Sequence, residues 1–338
     1  MSPASAVRAR SAAPWALPGA VAVVLVATVL SMKVGARPLT WSELSTGLLH
    51  FTGSRTDFVV RHVRLPRTLC GLLAGACLGL AGAVAQGITR NPLAGPDTLG
   101  INAGAAAAMI ATMTAGVGSL TGYVWFGFLG GACAAVAVYA IGGSGRDGVT
   151  PVKLALAGAA VSALLTAITS AFVLLDRDLF ARYRYWVIGS LARADLPTVG
   201  QALPFALVGV VLAVALVRRL DAVALGEDAA RGLGARPGPT RVAGLVAVVV
   251  LAGTATALAG PVVFLGLVAP HAARALVGAA HRWVLPLSAL LAAGVALLAD
   301  VVGRVVIAPE EVHLGVTAAL LGGPAFLYLV RTRRVAAL

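Results

Sequence analysis

Charge is the scarcest feature of this chain. Of its 338 residues 12% are charged and 59% hydrophobic, and the mean hydropathy reaches +0.93. A soluble domain carries about a quarter of its residues as charges, so a water-coated globular fold is excluded. Cysteine is nearly missing too: Cys70, Cys77 and Cys133 are the only three, and each lies within an apolar run. They give no disulfide framework and no metal-ligand spacing, and read as small packing residues. Lysine occurs only at Lys33, followed by Val34, and at Lys153, followed by Leu154. A phosphate-binding loop needs Gly-Lys followed by Ser or Thr, so no such loop exists here. None of the five histidines belongs to an HExxH pattern, and His271 has no acidic partner at helical spacing.

What the chain does have is long apolar runs. Crossing about 30 Å of hydrocarbon takes roughly 20 residues. Candidate runs are Trp15–Met32, Thr68–Ile88, Gly100–Val117, Tyr123–Ile141, Leu154–Leu175, Leu203–Val217, Val242–Leu258, Val262–Val277, Val284–Val302 and Leu314–Val330. They predict an all-α polytopic membrane protein of about ten spans, forming one transmembrane domain over residues 1–338. The first run follows Arg8 and Arg10 but is too long for a signal peptide and leads to no small-residue cleavage site. It reads as a retained helix after a cytoplasmic tail, residues 1–14. Runs of Val, Leu, Ala and Gly without polar alternation argue against an outer-membrane barrel.

The net charge of +13 and the pI near 11.1 invite a nucleic-acid reading. With both termini inside, however, the larger share of Lys and Arg falls on cytoplasmic segments. Arg146, Arg218, Arg219, Arg331, Arg333 and Arg334 are among them. That is the bias of the positive-inside rule, and nucleic acid is not an expected partner.

An internal repeat appears when "LAGACLGLAGAVAQGITRNPLAGPDTLG" (Leu73–Gly100) is laid without a gap over "LAGTATALAGPVVFLGLVAPHAARALVG" (Leu251–Gly278). The register matches Gly75 with Gly253, Gly82 with Gly260, Pro92 with Pro270 and Gly100 with Gly278. It relates the second span to the seventh, and so spans 2–5 to 7–10, in opposite orientations. Inverted repeats recur in transporters, with the pathway near their interface. Gly71, Gly75, Gly79 and Gly82 form a stripe that admits a neighbouring backbone closely. The stripe fits ordinary helix packing or a seam along a conduit.

Three polar connections stand out. In "QGITRNPLAGPDTLG" (Gln86–Gly100), Pro92 and Pro96 stop a helix while Asn91 and Asp97 cap or turn the chain. This predicts a tight turn at the cytoplasmic face, with Asp97 capping the next helix. Pro270 and His271 read as a second break with a structural turn role. The segment 218–241 is the longest polar cytoplasmic stretch. Within it Leu225–Gly234, "LGEDAARGLG", predicts a short helix: Glu227 and Asp228 suit its first turn, Ala229, Ala230 and Leu233 form an apolar face, and Gly234 stops it. Gly226 completes the entry. Such a helix suits docking into a groove of another protein, or lying on the membrane surface. In "LLDRDLFARYRYWVIGSLARADLP", Tyr183, Tyr185 and Trp186 suit the interfacial belt, or an outer vestibule.

Carboxylates are almost absent from the spans; Asp300, one turn from Arg304, is the exception. Ion-coupled carriers need ionisable groups deep in the bundle, so a secondary carrier, although it too uses inverted repeats, lacks its coupling charges. A membrane enzyme would need a clustered nucleophile, metal set or acid–base pair, and none is found. The chain reads as a conduit without its own motor, and no cofactor or metal is assigned to it.

The blocks "RLPRTLCGLLAGACLGLAGAVAQGITRNPLAGPDTLGINAGA", "LGEDAARGLG", "GPVVFLGLVAPHAARALVG" and "LLADVVGRVVIAPEEVHLGVTAALLGGPAFLYLVRTRR" closely resemble the FecCD/BtuC-type permeases of ABC importers, from about Leu39 to Arg334. The resemblance implies a type II importer permease of ten helices in the cytoplasmic membrane. Its implied partners are a second permease, identical or related, two ATPase subunits using ATP and Mg, an extracytoplasmic binding protein, and membrane lipid. It implies that Leu225–Gly234 is the coupling helix, and that Arg64, Arg67 and Arg304 face outward to meet glutamates of the binding protein. Arginine suits that task through its bidentate fork; the plainer alternative is snorkelling to headgroups. Within the family, "NPLAGPDTLGINAGA" and "YRYWVIGSL" look most like the ferric-siderophore branch, as against cobalamin or haem.

Overall fold

The computed structural model describes residues 3–35, 37–116, 120–144 and 150–332; Arg146, Arg333 and Arg334 lie outside them. In chain order the helices are α1 (Pro3–Lys33), α2 (Trp41–Leu49), α3 (Arg55–Val59), α4 (Leu65–Thr89), α5 (Ile101–Thr114), α6 (Leu120–Gly142), α7 (Pro151–Leu175), α8 (Arg177–Val187) and α9 (Leu196–Ala215). They continue with α10 (Val217–Ala224), α11 (Glu227–Gly232), α12 (Pro237–Ala259), α13 (Leu265–Val277), α14 (His281–Val306) and α15 (Leu314–Thr332). A π-helical turn, Val60–Arg64, joins α3 to α4, and a 3-10 turn, Pro96–Leu99, precedes α5. Residues 3–14 of the expected tail continue α1.

Each predicted span overlaps one apolar helix, although Leu203–Val217 runs past the end of α9 into α10 and Val262–Val277 starts in the break before α13. Among the described residues seven helices are long and apolar enough to cross a membrane, and α5, α13 and Leu314–Tyr328 of α15 are shorter apolar helices. At 1.5 Å per residue, the 14 residues of α5 and 13 of α13 cover only about 20 Å, short of about 30 Å of hydrocarbon. Backbone that is not α-helical carries the chain up to each of them, over residues 90–100 and 260–264. Both stretches begin and end in the left-handed region, at Arg90 (φ 50°) and Gly100 (74°), and at Gly260 (72°) and Phe264 (69°).

This corrects two expectations. The tight surface turn is confined to residues 90–93, and the stretch beyond it goes inward. Ala94, Gly95, Pro96, Leu99 and Gly100 are buried, and the polar backbone runs inward where protein, not lipid, surrounds it. The second break lies at 260–264, upstream of Pro270, which sits inside α13. The gapless register expected from the sequence therefore does not pair like elements: it sets Gly82, inside α4, against Gly260, which ends α12. The elements that match in kind are α4 with α12 and α5 with α13.

The core is the antiparallel pair of α4 and α14. A Cβ on Gly75 would meet Ala293 Cα at 2.7 Å, and one on Gly79 would meet the Ser288 carbonyl at 2.2 Å. Without exclusion from water to drive helices together in lipid, such close backbone packing supplies the attraction. The glycine stripe is therefore occupied by this chain's own helices. Cys70 and Cys77 are buried beside it, and Cys133 is exposed.

Candidate functional site

Charge gathers at the two ends of the α4–α14 pair. At the end that carries α2 and α3, Asp300 of α14 is almost fully buried. Arg67 grips it bidentately, Nη2 to Oδ1 at 2.8 Å and Nε to Oδ2 at 3.0 Å. Arg304 Nε reaches the same carboxylate at 3.1 Å, and Arg67 Nη1 pairs with Glu311 at 2.8 Å. Arg304 Nη1 donates to the Val34 carbonyl at 2.8 Å and the Ser31 carbonyl at 3.1 Å. Arg64 donates to the Val34 carbonyl and, at 2.8 Å, to the Arg37 carbonyl. These last carbonyls lie at and beyond the C-terminal end of α1, where four acceptors have no helical partner.

The three arginines expected to face outward are thus interior groups: Arg64 and Arg67 are 6% exposed and Arg304 2%. A buried guanidinium without acceptors would be costly; Asp300, Glu311 and the orphan carbonyls of α1 satisfy these. They form part of the lining of a recess of about 470 Å3, together with Arg37, Arg55 and Glu311. The rim residues Arg37 and Arg55 are exposed.

Midway along α4, Gly82 backs onto α13. A Cβ there would stand 1.6 Å from the Gly266 carbonyl oxygen. Pro270, four residues on, has no N–H to offer that carbonyl, so the oxygen is free to face Gly82. One turn further, Gln86 donates to the Leu267 carbonyl at 3.2 Å and accepts from Arg274. A Cβ on Gly266 would in turn meet the Leu78 carbonyl oxygen at 3.0 Å and Pro96 Cδ at 3.1 Å. Asp97 does not cap α5, whose N-cap is Gly100; it accepts from the Asn102 side chain, which in turn accepts from Thr256 at 3.3 Å. Asn91 keeps its turn role, its Oδ1 accepting from the Leu93 amide at 2.9 Å. Pro92 follows it in that turn, and His271 lies edge-on to Phe326.

At the opposite end stand α10 and α11. Gly226 enters α11 at φ 107°. The exit is a Schellman motif: Ala235 N–H donates to the Ala230 carbonyl and Gly234 N–H to that of Arg231, with Gly234 at φ 77°. Only Gly adopts that conformation without strain. Glu227 bonds Arg241 of α12 at 2.6 Å and Arg231 at 3.0 Å. The Arg241 hydrogen bond holds the Glu227 carboxyl below its usual range. Asp221 of α10 accepts from the His281 backbone at 2.9 Å and from its ring Nδ1 at 2.7 Å, at the first residue of α14. Burial alone would raise Asp221, but the His281 hydrogen bonds outweigh it and lower its pKa. The expected apolar face divides. Ala230 is fully buried, while Leu225 and Leu233 are 65% and 68% exposed with Ala229 beside them. Asp228 is exposed and pairs with Arg231.

The match to the FecCD transport family runs over residues 23–332. The chain belongs to that family. It is 41% identical over 319 residues to the ferric enterobactin transport system permease protein FepD of Escherichia coli (strain K12), covering 94% of this chain and 95% of that one. It is 37% identical over 305 residues to the Fe(3+)-citrate import system permease protein YfmD of Bacillus subtilis (strain 168), with 90% and 91% covered. A solved structure described as a metal-chelate type ABC transporter in an inward-facing conformation superposes with a TM-score of 0.84 at 28% identity, over 95% of this chain and all of that one.

Within this FecCD permease the sequence blocks and the geometry coincide at the two ends. RLPR supplies Arg64 and Arg67; the Asp300–Arg304 turn and Glu311 complete their network. Sequence reasoning missed Asp221 with His281, and Arg241. Asp221 and His281 are far apart in the chain and no spacing rule joins them. Arg241 was visible only as one more cytoplasmic cation.

Proposed function

We propose that this chain is one permease of a type II ABC importer that moves an intact ferric-siderophore complex across the cytoplasmic membrane. A second permease would pair with it around the pathway, two ATPase subunits would bind below, and an extracytoplasmic binding protein would deliver cargo above. Seven long and three shorter apolar helices support ten spans. With α4 and α12 each followed by a half-length helix, they also support an inverted repeat. The positive bias puts both termini and α10–α11 inside, so α2–α3 and the arginine recess face outward.

The observation that carries this reading is the exposed Leu225–Leu233 tip on a segment braced to α12 and α14. A helix held rigidly and presenting a small apolar tip fits a groove in an ATPase subunit. Force on the tip would pass to α12 through Glu227–Arg241 and to α14 through Asp221–His281, then along α14 to Asp300. On the other side the recess is cationic. A binding-protein carboxylate would meet the exposed Arg37 and Arg55 first, with Arg64, Arg67 and Arg304 as its floor. The ferric chelate as cargo rests on the relatives, which are permeases for ferric enterobactin and ferric citrate.

Reconstitution with ATPase and binding-protein partners tests the proposal: ATP-dependent uptake of labelled ferric siderophore, exceeding that of cobalamin and haem, is the expected result. Uptake that survives ATP depletion and collapses with an ion gradient would refute it. For the outer face, Arg37→Glu with Arg55→Glu weakens capture of the loaded binding protein while the melting temperature stays put. Unchanged capture in a pull-down sinks that role.

A further inference from the structure

The helical run Arg55–Thr89 is 35 residues long. At about 1.5 Å per residue it measures about 52 Å and overshoots about 30 Å of hydrocarbon. Trp15–Lys33 of α1, with 19 residues, fits that thickness. Met32 at its end packs in one cluster with Val60 and Leu65, so α3 stands beyond the level where α1 ends. The overshoot and its neighbour α2 are nevertheless apolar on their free side. In α2, Trp41, Ser45, Leu48 and Leu49 are exposed at i, i+4, i+7 and i+8, which is one face of a helix. Leu44 and Gly47 on the other face are buried, and a Cβ on Gly47 would meet Val60 at 2.9 Å. The apolar surface continues through Phe51 to Phe58, 6.3 Å between centroids, and both rings are exposed. Phe58 stacks on His62 at 4.2 Å.

Depth identifies what covers this face. Lys33 ends the span of α1, and its ammonium lies 3.9 Å from the Trp41 ring centroid. Gly47 packs on Val60, which precedes Leu65 by only about 7 Å at about 1.5 Å per residue. Both halves of α2 therefore lie within about 10 Å of the level where the hydrocarbon ends, beside the headgroups. The local chemistry suits that depth. Thr40 and Glu43 close the first turn of α2 with a capping box, and Arg61 donates to the Gly47 and Leu48 carbonyls at 2.7 Å and 3.0 Å. Neither end of α2 depends on water alone for its polar groups. Asp57 turns inward to the Thr52 amide at 2.8 Å, and no exposed residue in 41–63 is acidic. Cations flank the rings instead: Lys33 at Trp41, and the Arg61 guanidinium 4.9 Å from the Phe51 centroid. Trp and Phe beside Lys and Arg make up a helix that lies in the bilayer interface. We propose that α2 and the Phe51–Phe58 pair form an in-plane anchor, seated among the phospholipid headgroups and first methylenes of the leaflet at this end. Glu43 of α2 holds Arg37 at 2.9 Å and α3 begins at Arg55, so the anchor sets the height of both rim cations. It holds whatever the recess binds and whatever cargo is carried.

The test uses the full-length permease, without partners, in phosphatidylcholine–phosphatidylglycerol nanodiscs. Leu49→Cys in a Cys133→Ala background carries an NBD fluorophore; the remaining cysteines, Cys70 and Cys77, are buried. Leu233→Cys, a similarly exposed leucine on α11, is the water-facing control. The Leu49 label is expected to emit to the blue of the Leu233 label and to resist iodide. A doxyl group near the glycerol ester of the lipid quenches it more than one near the chain end. The Leu233 label is quenched by iodide and by neither lipid. Trp41 gives a second reading without a label: brominated phosphatidylcholine quenches the tryptophan emission of wild type more than that of Trp41→Phe. A Leu49 label open to iodide and untouched by doxyl lipid overturns the anchor. Protection that appears only when a binding protein is added also overturns it, since the face would then be a protein interface. A labelled protein that fails to melt cooperatively is set aside and the Trp41 comparison decides; equal quenching of wild type and Trp41→Phe then overturns the anchor.

Discussion

The two ends of the bundle use the same residue types in opposite ways. At the α2–α3 end three cations are inside: Arg64, Arg67 and Arg304 are buried around Asp300 and the loose end of α1. At the α10–α11 end the apolar residues are outside: Leu225 and Leu233 stand exposed, while Glu227 and Asp221 tie their segment back to α12 and α14. The first arrangement fixes helices against one another, since a desolvated carboxylate shared by two guanidinium groups tolerates little movement. The second presents a tip on braces that are partly open to water, where each ion pair contributes little to stability. Charge location, more than charge count, separates a locked end from one built for contact.

Four experiments sharpen that contrast. Asp300→Asn has the largest expected effect, because it leaves Arg67 and Arg304 buried without their shared anion. About 3–5 kcal/mol of destabilisation follows, read as a sharp drop in melting temperature in detergent. A wild-type melt would mean that the outer network is not a lock. Asp221→Asn comes next. The brace is half-exposed, so the loss is about 1 kcal/mol, with faster amide exchange confined to α10 and the first turn of α14; faster exchange throughout α14 would contradict a local brace.

Acidification separates the ends a third way. Glu227 and Asp221 have pKa values lowered in the folded state. Their contribution is therefore complete above the ordinary carboxylate pKa and disappears as pH falls through the lowered values. Amide exchange over residues 225–236, corrected for its intrinsic pH dependence, is expected to rise in that acidic window and to stay flat around neutrality. A rise near neutral pH would point to another group. The smallest stability effect belongs to Leu225→Asp with Leu233→Asp, within about 0.5 kcal/mol of wild type. If the tip docks an ATPase subunit, co-purification of that subunit is lost nonetheless; retained co-purification together with normal uptake would remove the coupling role.

Much of this was legible in the residues. Hydropathy located the apolar helices, Gly71, Gly75, Gly79 and Gly82 announced close packing, and Gly226 and Gly234 bounded α11 because their left-handed conformations suit glycine. Other features were hidden. Residues 90–100 look like a surface turn because Pro, Asn and Asp usually mark one; only the surrounding α7, α12 and α13 make it affordable to bury that backbone. Arg64 and Arg67 look like surface charges at a span boundary until Asp300 and Glu311 arrive from the far end of the chain.

The sequence by itself determined that this is a helical membrane protein, since the length of its apolar runs sets which helices can cross a bilayer. The tertiary structure alone decided which charges are interior, where the helices break, and which face of Leu225–Gly234 is free. Those outcomes depend on partners brought together from distant segments, and desolvation is a property of the packed neighbourhood, not of any residue's own identity.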